Sequence, residues 1–130
     1  HDDGPGLLYD INGHTGAIVD RVAPLEAEPI VVKNYPNAFV ETELQDRLAS
    51  LGVQNLVLAG FMTHMCVNST ARGAFNLGYA PTVVANATAT RALPGVDREP
   101  VSASAIQAAS LAAIADLFAV VVPDAADIPG

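Results

Sequence analysis

One cysteine, no tryptophan and six basic residues in a chain of 130 set the first limits. A single thiol cannot close an internal disulfide, which fits a reducing compartment, taken here as the cytoplasm. With 14 acidic residues against six basic ones, the net charge is −8, which argues against general affinity for nucleic acid or an anionic membrane. No apolar run approaches the roughly 20 residues that cross a bilayer. The opening HDDGPG lacks the basic start and apolar stretch of a secretory signal. A first residue of His rather than Met suggests a processed or truncated start. Aromatics make up 5% of the chain, so the core must come from Ala, Val, Leu and Ile. With 51% apolar and 15% charged residues, the chain reads as one globular domain over residues 1–130.

Residues 1–28 are rich in Gly, Pro and Asp and read as loops around a short helical piece near Gly16–Val22. PIVVK (Pro29–Lys33) is short and β-branched, which favours a strand ending in a cation. Thr42 and Gln45 fit a capping box, with Leu44, Leu48 and Leu51 at helical spacing before Gly52. NLVLAG (Asn55–Gly60) predicts a buried strand, Thr63–Leu77 a helix stopped by Gly78, and Ala80–Thr88 a further strand. RALPGVDREP reads as a loop. Ser102 can cap a helix whose face is Ile106, Ser110, Ala113, Ile114 and Leu117, and Ala119–Asp124 closes as a strand. Apolar strands alternating with helices predict an α/β fold: a doubly wound parallel sheet with helices on both faces. Sites in such sheets lie at the carboxyl ends of the strands, where Lys33 and the Gly60–Cys66 segment both fall.

A helix starting near Thr63 or His64 puts Cys66 in its first turn. Free N–H groups and the positive end of the helix dipole favour a thiolate there, more so with a lysine such as Lys33 nearby. The same N–H groups suit the oxyanion of a tetrahedral intermediate. A lone cysteine among Ala and Val is otherwise a small buried hydrophobe. On this helix the apolar stripe is Val67, Ala71, Ala74 and Phe75, whereas the i+4 partner of Cys66 is the polar Thr70. By spacing alone the two readings balance.

The stretch GFMTHMCVNSTARGAFNLGY resembles the Gly-x-x-Thr-x-x-Cys-Val signature, with its trailing Thr, Ala and Gly-Tyr, of the isochorismatase-like cysteine hydrolases. The upstream VVKNYPNAFVETEL resembles that family's Lys-x-x-x-x-Ala-Phe segment, and VVANATATRALP its Asp-Ala-x-Ala-Thr-Arg-x-Leu-Pro stretch, with Asn86 where Asp is frequent. The resemblance implies a commonly oligomeric, cofactor-independent α/β hydrolase using an Asp–Lys–Cys triad. Matched residue by residue, Cys66 is the nucleophile and Lys33 the triad lysine. Met62–Thr63 corresponds to a cis peptide that aims the N–H of Met62 or Thr63, with that of Cys66, at the substrate oxygen. The triad aspartate has no match: Asp2, Asp3, Asp10 and Asp20 fall at no triad position. The resemblance also implies that the first strand, first helix and second strand lie outside residues 1–130.

Around this site Tyr35, Phe39 and His64 are candidate pocket residues, each with an alternative as local packing or a solvated helix start. His1, His14 and His64 have no metal-like spacing, so no metal is expected. Arg91 suits an acidic substrate group or a surface ion pair. The leading expectation is a hydrolase of a small amide or related C–N bond, working through a thioester on Cys66. The rivals are a non-catalytic remnant or binding subunit of the same fold, and an ether-cleaving isochorismatase. The expected partners are a small-molecule substrate and either a second copy, a missing N-terminal segment or another chain that completes the sheet.

Overall fold

The structure, a computed structural model, describes residues 1–129. Its regular part begins with α1 (Leu44–Leu51), stopped by Gly52 in the left-handed conformation at φ 65°. Then come β1 (Asn55–Phe61), a π turn over Thr63–Val67 that runs into α2 (Asn68–Asn76), and β2 (Ala80–Ala89). A small antiparallel pair follows, β3 (Leu93–Pro94) with β4 (Pro100–Val101), and then α3 (Ala103–Ala115) and β5 (Val120–Val122). Ser102 caps α3, its hydroxyl accepting the Ala105 N–H at 3.2 Å.

Strands β1, β2 and β5 form a parallel sheet in that order. The α/β class with a parallel sheet therefore holds. Leu58, Val83 and Val121 are register partners, so their side chains share one sheet face. On that face lies the core: Val67 and Ala71 from the α2 segment, Val83, and Ile114 of α3, with Leu111, Phe118 and Ala119 packed around them. The next register row, Val57–Thr82–Val120, belongs to the opposite face. There Val57 is 55% and Val120 52% exposed. Arg72 ties α2 to α3, its guanidinium 3.9 Å from the centre of the Phe118 ring and an N–H on Ala113 O.

Several elements differ from expectation. Pro29–Lys33 pairs in no sheet among the described residues, and its Ile30 and Val32 are exposed; β-branched residues favour a strand, but only a neighbour completes the ladder. The helical piece near Gly16–Val22 is a single 3-10 turn, Asp20–Val22. The Thr42–Gln45 capping box is absent. Thr42 Oγ1 instead donates to Ala38 O at 2.6 Å and accepts the Leu44 N–H. The 91–100 loop contains the β3–β4 pair, whose turn is held by Asp97 accepting the Glu99 N–H. On α3 the inward face passes through Leu111 and Ile114 to Phe118, leaving Leu117 exposed. Phe75 is also partly exposed, edge-on to Phe118. No helix among the described residues is long and apolar enough to cross a membrane.

Candidate active site

The end of β1 and the start of the following helix set the first half of the site. After Phe61 the chain turns directly into the π turn, where the Met65 and Val67 N–H groups both meet Met62 O at 3.0 and 3.3 Å. Wide turns of this kind often occur at functional positions. Here it presents Cys66 one turn before Thr70 on the same side of the helix. The cis peptide is Phe61–Met62, one bond earlier than the expected Met62–Thr63. The family motif locates this turn only to within a residue, because neither flanking residue is a proline that marks the bond. Thr63 is fully buried as a whole residue and does not border the cavity described below.

The segment around Lys33 supplies the second half. Thr70 anchors it to α2: its hydroxyl accepts the Ala38 N–H at 3.1 Å and donates to Pro36 O at 3.4 Å. Gly73 permits this close approach, since a Cβ there would lie 2.5 Å from Asn37 Nδ2. Asn37 is itself held, its Oδ1 accepting the Phe39 N–H. The resulting turn points two carbonyls at Lys33 Nζ, Tyr35 O at 2.9 Å and Pro36 O at 3.1 Å. The same nitrogen reaches Cys66 Sγ at 3.4 Å and His1 Nδ1 at 3.2 Å. Lys33 and Cys66, 33 residues apart in sequence, are thus brought together as expected.

Residues 1–3 run beside the end of this segment. The Asp2 N–H donates to Lys33 O at 2.7 Å, and Asn34 Nδ2 to Asp2 O at 2.9 Å. His1 Nε2 lies 2.6 Å from Asp3 Oδ1, and the His1 ring is edge-on to Tyr9. Spacing gave no sign of this His1–Asp3 pair, because its partner Lys33 is 32 residues away. The only local cue is a carboxylate two residues after a histidine.

A cavity of about 540 Å³ opens between the two halves, bordered by His1, Ile18, Lys33, Cys66, Thr70 and the Leu58–Phe61 end of β1. Tyr35, Phe39 and His64 are not among its walls. Tyr35 contributes its carbonyl, Phe39 stacks on Tyr79 at 5.8 Å, and His64 Nδ1 bonds Thr90 Oγ1 at 2.5 Å. Phe39 is thus packed locally, Tyr35 is exposed, and His64 is a part-buried, hydrogen-bonded residue rather than a solvated one. Arg91 makes no ion pair among the described residues and donates to the adjacent Ala92 O. Asn86 does have a structural role, its amide donating to Asp124 beyond β5. The Ala126 N–H and then that amide hold the Asp124 carboxyl below its ordinary value.

The geometry is a thiol and an ammonium facing one apolar-walled cavity at the carboxyl end of a parallel sheet. Residues 11–126 match the model of the isochorismatase domain. The chain is similar to the secreted isochorismatase effector Isc1 of Verticillium dahliae, 38% identical over 81% of this chain and 53% of that protein. It is also similar to the ureidoacrylate amidohydrolase RutB of Stutzerimonas stutzeri, 37% identical over 64% of this chain and 34% of that one. The crystal structure of an isochorismatase from Pseudomonas putida KT2440 superposes with a TM-score of 0.87 at 39% identity, covering 92% of this chain and 61% of that one. The chain therefore spans about half the length of the curated relatives it matches.

Proposed function

The chain belongs to the isochorismatase family, and from that membership we propose a cysteine hydrolase of a small amide, carbamoyl or related C–N substrate. The observation that carries this reading is the 3.4 Å approach of Lys33 Nζ to Cys66 Sγ on the wall of the cavity. Cys66 attacks the carbonyl carbon, and Lys33 stabilises the thiolate form by charge and hydrogen bonding. Backbone N–H groups of Met62, Thr63 and Cys66 receive the oxyanion at the start of the helix. The C–N bond breaks, the amine leaves with a proton, and water hydrolyses the thioester. The similarity to an amidohydrolase favours this over ether cleavage, as does retention of both Cys66 and Lys33. A cavity of this size suits a small molecule. A nucleophile that must stay a free thiol suits the cytoplasm.

The proposal extends to the sheet edge. Strand β1 pairs with β2 alone among the described residues, and Phe61 at its end is 72% exposed. In the working protein this edge is completed by a further segment of the same protein or by a second copy, because an open apolar strand edge invites pairing. Light scattering on the native protein distinguishes the two sources.

The activity test is a panel of ureido, carbamoyl and simple amide substrates, with ureidoacrylate included, read by ammonia or amine release. Intact-mass analysis should catch an acyl adduct on Cys66 early in turnover, absent in Cys66→Ala. Turnover that survives Cys66→Ala would overturn the reading. Binding of the panel with no turnover and no adduct would favour the non-catalytic alternative.

A further inference from the structure

A threonine inside a helix ordinarily turns its hydroxyl to solvent or back onto the carbonyl four residues earlier. Thr70 does neither. It is 9% exposed, and among the described residues its hydroxyl bonds only the 36–38 segment. It accepts the Ala38 N–H at 3.1 Å and donates to Pro36 O at 3.4 Å. One oxygen thus acts as donor and acceptor on either side of Asn37, a double role that a hydroxyl fills and an aliphatic side chain cannot. Pro36 O has a second partner. It accepts from Lys33 Nζ at 3.1 Å, while Tyr35 O accepts from the same nitrogen at 2.9 Å. A carbonyl oxygen has two lone pairs, so Pro36 O can hold the hydroxyl and the ammonium at once. That nitrogen lies 3.4 Å from Cys66 Sγ, and Cys66 stands one turn before Thr70. The contacts run from Thr70 through Pro36 and Lys33 to Cys66, and the helix joins the two ends.

We propose that the Thr70 hydroxyl is the positioning group that aims the Lys33 ammonium at Cys66. The inference rests on the proposed hydrolase reading, in which that ammonium favours the thiolate, and it assigns the residue that fixes the ammonium in place. Lys33 needs fixing because its charge sits on a flexible four-carbon stem that can swing away from the sulfur. The two carbonyls restrain it only if the turn that carries them is itself held. That turn follows a segment with no ladder of its own, since Pro29–Lys33 pairs in no sheet among the described residues. Thr70 ties the turn to a helix whose Val67 and Ala71 are part of the core. The hydroxyl bonds neither the sulfur nor the ammonium, so it acts through Pro36 and is not itself catalytic. Without it the Ala38 N–H loses its partner and Pro36 O loses its restraint. The ammonium then spreads over positions farther from the sulfur, and the attraction between opposite charges falls with distance. His1 at Nζ and Asp3 behind its ring are the other titratable groups at this ammonium, and both stay unchanged in the variants that test the role.

The test reads the thiol rather than turnover, so it fails separately from the hydrolase assignment. Cys66 alkylation by iodoacetamide is followed from pH 5.5 to 9.5, roughly the range over which a thiol ionises, in the full native protein, Thr70→Val and Thr70→Ser. Valine keeps the shape and drops the hydroxyl, whereas serine keeps the hydroxyl. Thr70→Val is expected to alkylate roughly tenfold more slowly at pH 7, with its rate midpoint about one pH unit higher and native rates at the alkaline end. Thr70→Ser is expected to stay within about twofold of the native rate, because both hydrogen bonds remain available. Far-ultraviolet circular dichroism checks that each variant is folded. A merely structural role would lower the thermal midpoint of Thr70→Val and leave its pH midpoint in place. That result in the folded variant overturns the proposal, as does a Thr70→Ser protein that behaves like Thr70→Val. If Thr70→Val does not fold, amide hydrogen exchange in the native protein decides. A protected Ala38 N–H is expected, and exchange there at the rate of an open amide overturns the clamp. A raised midpoint in a protein that hydrolyses nothing would sink the proposed substrate chemistry and leave the positioning role standing. Turnover with an unmoved midpoint would do the reverse.

Discussion

Two parts of this molecule have similar apolar runs and opposite outcomes. From Asn55 onward VLA- and VV-rich segments form a sheet under α2 and α3, and all the fully buried residues lie between Thr63 and Val122. Before Leu44 the run PIVVK, with Ile11, Ile18 and Val22 around it, contains no fully buried residue, and the segment forms no regular element beyond one 3-10 turn. The difference is in partners. Val83 has a helix pair above it and a strand on each side, whereas Ile30 and Val32 have none of these among the described residues. Hydrophobic stabilisation follows area removed from water, and a β-branched run removes little until something covers it. The first part brings Lys33 to the cavity; the second contributes the framework and Cys66.

The sharpest way to test this division is to remove chemistry without removing stability. Lys33→Met should lower kcat/KM by about 10²–10⁴-fold on whichever substrate is turned over, with an unchanged thermal midpoint. A matching loss of stability would make the first part structural after all. The converse is Ile114→Ala, a fully buried side chain of the core, which should cost about 2–5 kcal/mol in urea unfolding. Ile30→Ser, at an exposed position of the first part, should change stability by no more than about 0.5 kcal/mol. A larger loss there would reveal a covering partner for PIVVK and erase the contrast. The smallest effect lies at Asp124, whose folded carboxyl is held below its ordinary value by the Ala126 N–H and then the Asn86 amide. A depressed value means the ionised form is favoured in the fold, so this support is present above the unfolded carboxylate value of about 3.9. It disappears as the pH falls through the lower folded value. Asp124→Asn should therefore lower the urea midpoint slightly at pH 7 and match the native protein near pH 2.5, which flattens the acid limb between them.

The layered part was legible in the sequence because its signals are local. Period, brevity and glycine punctuation located β1, β2, α2 and α3 to within a few residues, and Ser102 caps as expected. The pairing of Lys33 with Cys66 was suggested by both falling at expected strand ends and sharpened by the family resemblance, although the strand before Lys33 does not form. PIVVK shows the limit of reading a strand from composition, because pairing is a property of two segments. Phe39 and His64 were assigned to a pocket by proximity in sequence, yet Tyr79 and Thr90 hold them elsewhere. His1 and Asp3 offered only a carboxylate two residues after a histidine, because the contact of His1 with Lys33 exists only once the chain is folded.

Gly73 has a consequence for anyone who would engineer this protein. By helix propensity it is the first residue to replace, because alanine gains about 1 kcal/mol over glycine in a helix interior. Yet its missing side chain is the space occupied by the Asn37 amide. Filling that space displaces the turn whose Tyr35 and Pro36 carbonyls orient the ammonium of Lys33. A Gly73→Ala protein would thus have a firmer helix and a worse-aimed cation: local and global optima conflict at this one position, and a thermostability screen blind to turnover would select the wrong one.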